Sequence, residues 1–163
     1  GHLVLQFFIA LEKQVEGKEV IAHFHEWMTG MPIGEIKLQQ LKIKTVFTTH
    51  ATLLGRYVAM NDTNFYKNLP SIDWLQAAQK FYIEPQVWLE RLAALDSDIF
   101  TTVSEITGKE CEFLLGRKPD HILPNGLNLF TYTETHEIQN LHKQFAENDE
   151  QKHASQTNHA AAR

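Results

Sequence analysis

The sequence lacks several features that would each place a protein in a particular class. A single cysteine, Cys111, cannot form an internal disulfide, which indicates a reducing compartment. Acidic residues outnumber basic ones, 20 to 15, so the chain has no excess of positive charge for broad nucleic-acid binding. No apolar run approaches the ~18 residues that cross a bilayer. We therefore expect a cytoplasmic protein with neither a nucleic-acid nor a membrane partner.

Signals for nucleotide binding and for export are missing as well. No GxGxxG or Walker-type glycine loop is present, so other residues would have to hold any nucleotide. The chain opens on Gly1-His2, with no basic segment and no initiator methionine. We therefore expect no signal peptide, and we expect the chain to begin inside a longer protein.

Hydrophobic periodicity alternates between helical and strand-like segments along the chain. With 163 residues, 43% of them hydrophobic, the sequence can bury one core of good size. Pro85 marks a kink or the start of a second helix within residues 65–95, and Ser104 is placed to cap a helix. The predicted helices are residues 3–15, 65–95 and 105–115, and the predicted strands are residues 19–24, 44–49, 98–103 and 121–123. This order predicts an α/β fold with a parallel sheet and flanking helices.

The character of the sequence changes beyond residue 130. Ile138, Leu141 and Phe145 fall on one stripe, so we expect an exposed helix within residues 131–145. Residues 146–163 are polar and nearly free of large apolar groups, which predicts a disordered tail. The predicted organisation is one α/β domain over residues 1–130, then a helix and a tail.

Residues 45–57 form the most informative segment of the chain. A β-branched run ends at His50, and a short turn then leads to Gly55 and Arg56. In an open parallel sheet, ligands bind at the carboxyl edge of the strands. An imidazole and a fixed cation at that edge suit a phosphorylated or sugar substrate. The alternatives are a histidine satisfied by a backbone carbonyl and an arginine in an ordinary surface ion pair.

A second polar group follows the predicted strand at residues 19–24. Period-2 alternation puts His23 and His25 on one face, where two imidazoles with Glu26 could bind zinc. No third ligand follows at a recognisable spacing, so we predict polar ligand contacts and no metal site. Glu26 could instead favour a helix start through the helix dipole. Further along, Asn125-Gly126 is typical of a tight turn with positive φ.

Several longer motifs follow one another along the chain, namely VIAHFHEW at residues 20–27, FTTHATLLGRY at residues 47–57 and FTTVSEIT at residues 100–107. All three are similar to motifs of the glycogen synthases of animals and fungi, and the last resembles that family's FTTVSQIT. Shorter similarities lie at residues 65–69, 114–120, 123–128 and 136–142. Because these motifs follow one another in the family's order over residues 19–145, the chain resembles a fragment of the N-terminal domain of a glycogen synthase.

The resemblance implies a GT-B glycosyltransferase with two Rossmann-like halves, of which this chain would be part of the N-terminal half. The family transfers glucose from UDP-glucose to the non-reducing end of an α-1,4-glucan. It retains the anomeric configuration and needs no metal or other cofactor. On this resemblance His50 lies against the donor glucose and Arg56 faces the donor phosphates, so both are candidate catalytic residues.

The resemblance also implies substrate-binding positions and partners. His25 and Glu26 match the sheet-edge turn near the acceptor, and Asn125 and Gly126 match a turn at the cleft. Glycogen and UDP-glucose would be the partners. Oligomer contacts of the family are expected near the helix that begins around residue 134, and any glucose 6-phosphate site would lie outside this chain.

Departures from the family's pattern limit what the chain can do alone. The family's first glycine-rich loop would precede residue 1, and its second half would follow residue 145, so we expect no turnover by the isolated chain. Residues 81–91 keep only the ends of the family's IYHRYCIER segment, and the sequence after Phe145 does not follow the family. The alternative function is a non-catalytic half-domain that binds glucan or associates with other copies.

Overall fold

A computed structural model of the chain describes residues 1–15, 17–126 and 139. The chain divides into two units, residues 1–125, which are compact, and residues 126–163. The helices of the first unit are α1 His2–Gln14, α2 Met31–Leu38, α3 Leu53–Ala59, α4 Phe65–Asn68, α5 Trp74–Lys80, α6 Glu84–Asp96 and α7 Glu105–Glu110. Its strands are β1 Val20–His25, β2 Ile43–Thr49, β3 Ile99–Thr102 and β4 His121–Ile122. Short 3₁₀ turns lie at Trp27–Thr29 and Leu69–Ser71, and a π-helical turn at Cys111–Leu115 follows α7.

The strands form one parallel sheet in the order β1-β2-β3-β4. The register pairs His25 with Thr48 and Thr49 with Thr102, so the carboxyl ends of three strands lie level at one edge. When strands follow in sequential order and every crossover has the usual right hand, the connecting helices lie on one face of the sheet. The predicted α/β fold with a parallel sheet and flanking helices is confirmed.

The main core lies between that face of the sheet and the helices. Phe47 and Phe100 are fully buried and stack with their ring centroids 5.7 Å apart. The other members of this core are Leu5, Phe8, Ala22, Phe24, Ile33, Ile36, Ile43, Ala93, Ala94, Cys111 and Leu115. Alternate strand residues point to the second face, where Ile21 is exposed. His23 and His25 share the parity of Ile21, so they lie on that second face as well.

A second apolar cluster anchors the segment that follows β2. Leu54 of α3 is fully buried in it. The other members are Phe65, Leu69, Ala78, Ile83, Val87 and Leu114. Because this cluster joins α3 to α4, α5, α6 and the π-helical turn, the placement of α3 depends on helices that come later in the chain.

Most predicted elements agree with the structure. Each predicted strand matches one of β1–β4 to within one residue at either end. The helix expected at residues 3–15 is α1, and Ser104 caps α7, since its hydroxyl oxygen accepts the Thr107 N–H at 3.2 Å. Residues 65–95 are mostly helical, and Pro85 stands in the first turn of α6, where its missing N–H costs no helical hydrogen bond.

Other local expectations are wrong. Residues 53–59 form α3, where we expected only a turn, because tertiary contacts hold this short segment in a helix. The helix predicted at residues 105–115, by contrast, is confirmed in its bounds, and it is α-helical to Glu110 and π-helical from Cys111. Neither Asn125 nor Gly126 has a positive φ, so the expected tight turn does not form. The Leu123 N–H donates to the Thr102 carbonyl at 2.7 Å, which carries the chain onward beside β3 instead of turning it.

Two expectations fall on residues that the structure leaves undescribed. The helix at residues 131–145 and the tail at residues 146–163 lie outside the described residues, apart from Gln139, which is helical. None of the helices in the described ranges combines the length and apolar character needed to cross a membrane.

Candidate active site

His50 lies at the carboxyl edge of the sheet, directly beside the end of β1. It follows Thr49, the last residue of β2. The Glu26 N–H donates to the Thr48 carbonyl at 2.9 Å, which extends the pairing of β1 with β2 beyond His25. The structure therefore brings His25, Glu26 and His50 together where ligands of open parallel sheets bind.

Glu26 has an unusual backbone conformation. Its φ of 65° and ψ of 159° fall in a region that glycine occupies almost alone, at a cost of about 1–3 kcal/mol. The conformation directs its carboxylate at the next strand, where Oε1 accepts the His50 N–H at 2.9 Å. The Thr29 hydroxyl donates to the His25 carbonyl at 2.6 Å and closes the turn. Glu26 precedes the 3₁₀ turn but makes no capping hydrogen bond to it.

A row of histidines crosses the edge of the second face. The ring centroids of His23 and His25 are 4.2 Å apart, as their shared face predicts. His25 Nδ1 and His50 Nε2 are 3.3 Å apart, so one of these nitrogens donates and the other accepts. His23 Nε2 lies 2.7 Å from the Thr48 hydroxyl oxygen. Burial, followed by the charge of His25, lowers the pKa of His23, which favours its neutral form.

The contacts of these histidines also concern the alternative of a zinc site on His23 and His25. Nowhere in residues 1–15 and 17–126 do three or more histidine, cysteine or acidic side chains gather in a geometry that would hold a metal ion. His25 and His50 are hydrogen bonded to each other, while His23 is bonded to Thr48. The described residues therefore supply no third ligand to a site on His23 and His25.

Arg56 faces the same edge from α3. Thr52 caps this helix, since its hydroxyl oxygen accepts the Gly55 N–H at 3.1 Å. Arg56 Nη2 lies 3.9 Å from Glu26 Oε1, but the arginine side chain is 57% exposed, so this pair stabilises the fold little. A cleft of about 370 Å³ opens here, lined by Glu26, Trp27, Met28, His50, Leu53 and Arg56. The guanidinium is thus placed to bind an anion in the cleft.

A buried carboxyl lies beneath the His50 turn. Glu90 of α6 is fully buried. Its Oε1 accepts the Thr49 hydroxyl at 3.1 Å, and its Oε2 accepts the Leu53 N–H at 2.9 Å. Burial raises the pKa of Glu90 to about 7, although both hydrogen bonds favour the ionised form. The nearby charge of Glu26 raises this pKa further, and that of Arg56 lowers it.

A second buried carboxyl supports the start of α3. Glu110 Oε2 accepts the Thr52 hydroxyl at 2.7 Å, and Glu110 Oε1 accepts the Tyr66 hydroxyl at 2.9 Å. Burial, together with the bond to Glu110, raises the pKa of Tyr66. Gly55 leaves the room that the Thr52–Glu110 pair occupies. Glu90 and Glu110 together hold residues 49–53 from below.

The remaining predicted positions follow β4 in the chain. Asn125 follows β4 and is exposed, and no hydrogen bond between described residues joins it to His25, Glu26, His50 or Arg56. Gly126 begins the second unit and is exposed. Four of the six predicted site residues are therefore in one cluster, and the roles of Asn125 and Gly126 stay predictions.

Sequence reasoning missed the buried glutamates. The signal that would have found them is the helical spacing of their neighbours. Glu90 lies three residues after the buried Val87 and four before the buried Ala94. Glu110 likewise lies between the buried Thr107 and Leu114. An acidic residue on the buried stripe of a helix needs hydrogen-bond partners inside the fold, so such a position points to a built polar contact.

Known proteins resemble this chain closely. The family model described as glycogen synthase matches residues 1–153, which runs beyond Phe145, where we expected the similarity to end. The glycogen [starch] synthase of Neurospora crassa is 49% identical over 147 residues, covering 88% of this chain and 20% of that protein. Isoform 1 of Saccharomyces cerevisiae is 47% identical over 143 residues, covering 87% and 20%. The liver form of Mus musculus is 43% identical over 145 residues, covering 89% and 21%.

These matches cover most of the chain but little of each relative. The chain spans about a fifth of the length of these curated relatives. The matched residues include β1–β4 and the cluster of His25, Glu26, His50 and Arg56. Because the family model covers nearly the whole sequence, this chain belongs to the glycogen synthase family.

Proposed function

We propose that this chain forms one wall of the active site in a glucosyltransferase that moves glucose from UDP-glucose to the non-reducing end of an α-1,4-glucan. The observation that carries the proposal is the joint placement of His50 and Arg56 on a cleft of about 370 Å³ at the carboxyl edge of the sheet. Membership of the glycogen synthase family, shown by the match over residues 1–153, supports the substrate class.

The chemistry of the two side chains suits this reaction. Transfer with retention through a short-lived, oxocarbenium-like state requires stabilisation of the departing diphosphate and a fixed orientation of the sugar. Arg56 supplies a permanent cation with a planar set of N–H donors, which matches phosphate oxygens. The His50 backbone is fixed by its hydrogen bond to Glu26, so the His50 imidazole can orient the donor glucose. In the proposed reaction both residues are catalytic.

His25 and Glu26 have different roles in the proposal. His25 is exposed and bonded to His50, so it can contact sugar hydroxyls next to the donor. Glu26 Oε1 is already engaged by the His50 N–H and lies near Arg56. Its carboxylate therefore holds these two groups in place and offers its remaining oxygen to the acceptor. Asn125 and Gly126 are proposed to border the cleft on the strength of the family resemblance.

Further parts of the proposal concern the whole protein. We propose a cytoplasmic enzyme that needs no metal or other cofactor, binds glycogen and forms homo-oligomers, all on the strength of the family resemblance. The chain spans about a fifth of its relatives' length, and the cleft has one wall from the described residues. We therefore expect no turnover from the 163 residues alone.

Incorporation of radiolabelled glucose from UDP-glucose into glycogen tests the proposal. The assay compares the full-length protein that carries this sequence with its His50→Ala variant. We expect His50→Ala to lose activity by about 10²–10³-fold, in the range of removing one transition-state contact, while co-sedimentation with glycogen is retained. The matched control is His121→Ala, because His121 is an exposed histidine at the start of β4.

Three results would each contradict a part of the proposal. Transfer at the wild-type rate by His50→Ala would exclude a catalytic role for His50. Binding of glycogen with no glucose transfer by the wild-type protein would favour the non-catalytic glucan-binding function instead. Turnover by the isolated 163-residue chain would show that one wall is enough.

A further inference from the structure

We propose that Glu90 is a positioning residue for His50, because its buried carboxylate binds the chain on both sides of that histidine. The inference rests on the proposed function, in which His50 orients the donor glucose. Glu90 contacts Thr49, the residue before His50, and Leu53, three residues after it. It does not line the cleft, so it acts through the turn and not on the substrate.

Through Glu90, helix α6 holds the turn at residues 49–53 by two hydrogen bonds. Glu90 is fully buried between Val87 and Ala94, which are fully buried on the same helix. Its two oxygens each accept one donor, at 3.1 Å from the Thr49 hydroxyl and at 2.9 Å from the Leu53 amide. A shift of the His50 backbone away from the cleft would strain or break these bonds and the bond from the His50 N–H to Glu26.

An ionised carboxylate of this length accepts from both donors at once. A glutamine offers one acceptor oxygen and one NH₂ donor group, so it could keep the Leu53 N–H bond only by turning its NH₂ group toward Thr49, whose hydroxyl would then have to accept instead of donate. An aspartate is one methylene shorter and cannot reach as far. A neutral Glu90 resembles the glutamine, because one of its oxygens then carries a proton. The state of Glu90 should therefore control how firmly the turn is held.

Ionisable groups on several elements face Glu90. Glu26 after β1 and Arg56 on α3 act on it through their charges, in opposite directions. Cys111 of the π-helical turn is also close enough to interact with Glu90, since burial, followed by the charges of Glu90 and Glu110, raises the pKa of that thiol. The thiol is therefore neutral at physiological pH, so the charges that can balance Glu90 are those of the site itself.

Kinetics of the full-length protein test the inference first. We expect Glu90→Gln to lower kcat about a hundredfold, as a small misplacement of a catalytic group does, while KM changes by less than about threefold. The wild-type rate should fall as the pH drops below about 7, since burial raises the pKa of Glu90 to about 7. Glu90→Gln should lack this acid limb, because an amide does not titrate.

A control for lost stability is Ile36→Val. Ile36 is buried in the main core, away from the His50 turn, so the variant weakens the fold without changing the contacts of Glu90. We expect Ile36→Val to keep the wild-type kcat and the acid limb. A merely structural Glu90 would give a variant with the same behaviour as this control.

Amide hydrogen exchange on the 163-residue chain gives a readout independent of activity. The His50 N–H is bonded to Glu26 and not to Glu90, so its exchange reports the turn itself. We expect Glu90→Gln to speed exchange at His50 roughly tenfold beyond the change in global stability, and Ile36→Val to leave it unchanged.

The outcomes separate this inference from the proposed function. If the wild-type protein transfers no glucose, the proposed function fails, and the His50 exchange still decides whether Glu90 holds the turn. If the protein is active and Glu90→Gln keeps both kcat and the acid limb, the inference is wrong and the proposed function stands. Unchanged His50 exchange in Glu90→Gln would overturn the inference in either case.

Discussion

Gly55→Ala probes the polar network under the candidate site. A Cβ atom added at Gly55 would collide with the Thr52 hydroxyl oxygen and would lie 2.5 Å from Glu110 Oε2. These two atoms are the ends of a 2.7 Å hydrogen bond inside the fold. One methyl group therefore displaces both partners of a buried, charge-assisted bond, and it also disturbs Thr52 as the cap of α3.

The expected cost follows from these contacts. A hydrogen bond to a charged group contributes about 1.5–3 kcal/mol, and a lost helix cap costs about 1 kcal/mol. Replacing glycine by alanine inside a helix returns about 1 kcal/mol. Because the last two contributions cancel, we expect Gly55→Ala to lower the free energy of unfolding by about 1.5–3 kcal/mol.

Urea unfolding of the 163-residue chain, followed by circular dichroism, measures this cost. The matched control is Gly108→Ala in α7, where an added Cβ meets its nearest atom, Ile122 Cδ1, at 3.8 Å, an ordinary contact. We expect Gly108→Ala to be neutral or to stabilise by up to about 1 kcal/mol. If the two variants have the same stability, the Thr52–Glu110 bond does not support the site as the structure indicates.

Two further predictions concern charge. Arg56→Ala should leave the unfolding free energy within about 0.5 kcal/mol of wild type but lower glucose transfer 10²–10³-fold. Lys37→Ala removes a similarly exposed ion pair and should change neither quantity. Equal activity of the two variants would exclude a role for Arg56. Burial raises the pKa of Glu90 from 4.5 to about 7, so the Glu90 carboxyl binds its proton more tightly in the folded chain than in the unfolded chain. Protonation of Glu90 therefore stabilises the fold; this contribution is complete below about pH 4.5 and is lost as the pH rises through 7. Between pH 4.5 and pH 7 the unfolding free energy of the wild type, measured by urea titration, should fall by roughly 3 kcal/mol relative to that of Glu90→Gln. If the difference in unfolding free energy between the two proteins does not change with pH, the burial of Glu90 does not raise its pKa as described.

The sheet could be predicted from the sequence because its signals are local. The strand ending at Thr49 is a run of β-branched and aromatic residues, which identifies it without any knowledge of its neighbours. The short helix α3 could not be found this way. It has seven residues, contains Gly55, and is held by Leu54 in a cluster built from later helices. Its stability comes from tertiary packing and not from propensity.

The candidate site likewise has features that could be predicted from the sequence and features that could not. His50 and Arg56 follow directly from a strand end and a short turn, so their proximity could be predicted. The contacts that fix them could not. Glu90 lies 41 residues from Thr49 in the chain, and Glu110 lies 58 residues from Thr52. Pairs so distant along the chain depend on the crossing of helices, which single-sequence periodicity does not give.

A common requirement explains why glutamate occupies both buried positions. Each carboxylate receives two donors and no acceptor: Glu90 from a hydroxyl and a backbone amide, and Glu110 from the hydroxyls of Thr52 and Tyr66. An amide side chain could keep both contacts only if one hydroxyl partner accepted instead of donating, whereas an ionised carboxylate accepts at both oxygens. Glu90 and Glu110 are the two buried acidic residues in the part of the chain that the structure describes, and both bind residues 49–53, where a histidine is held at the edge of the sheet.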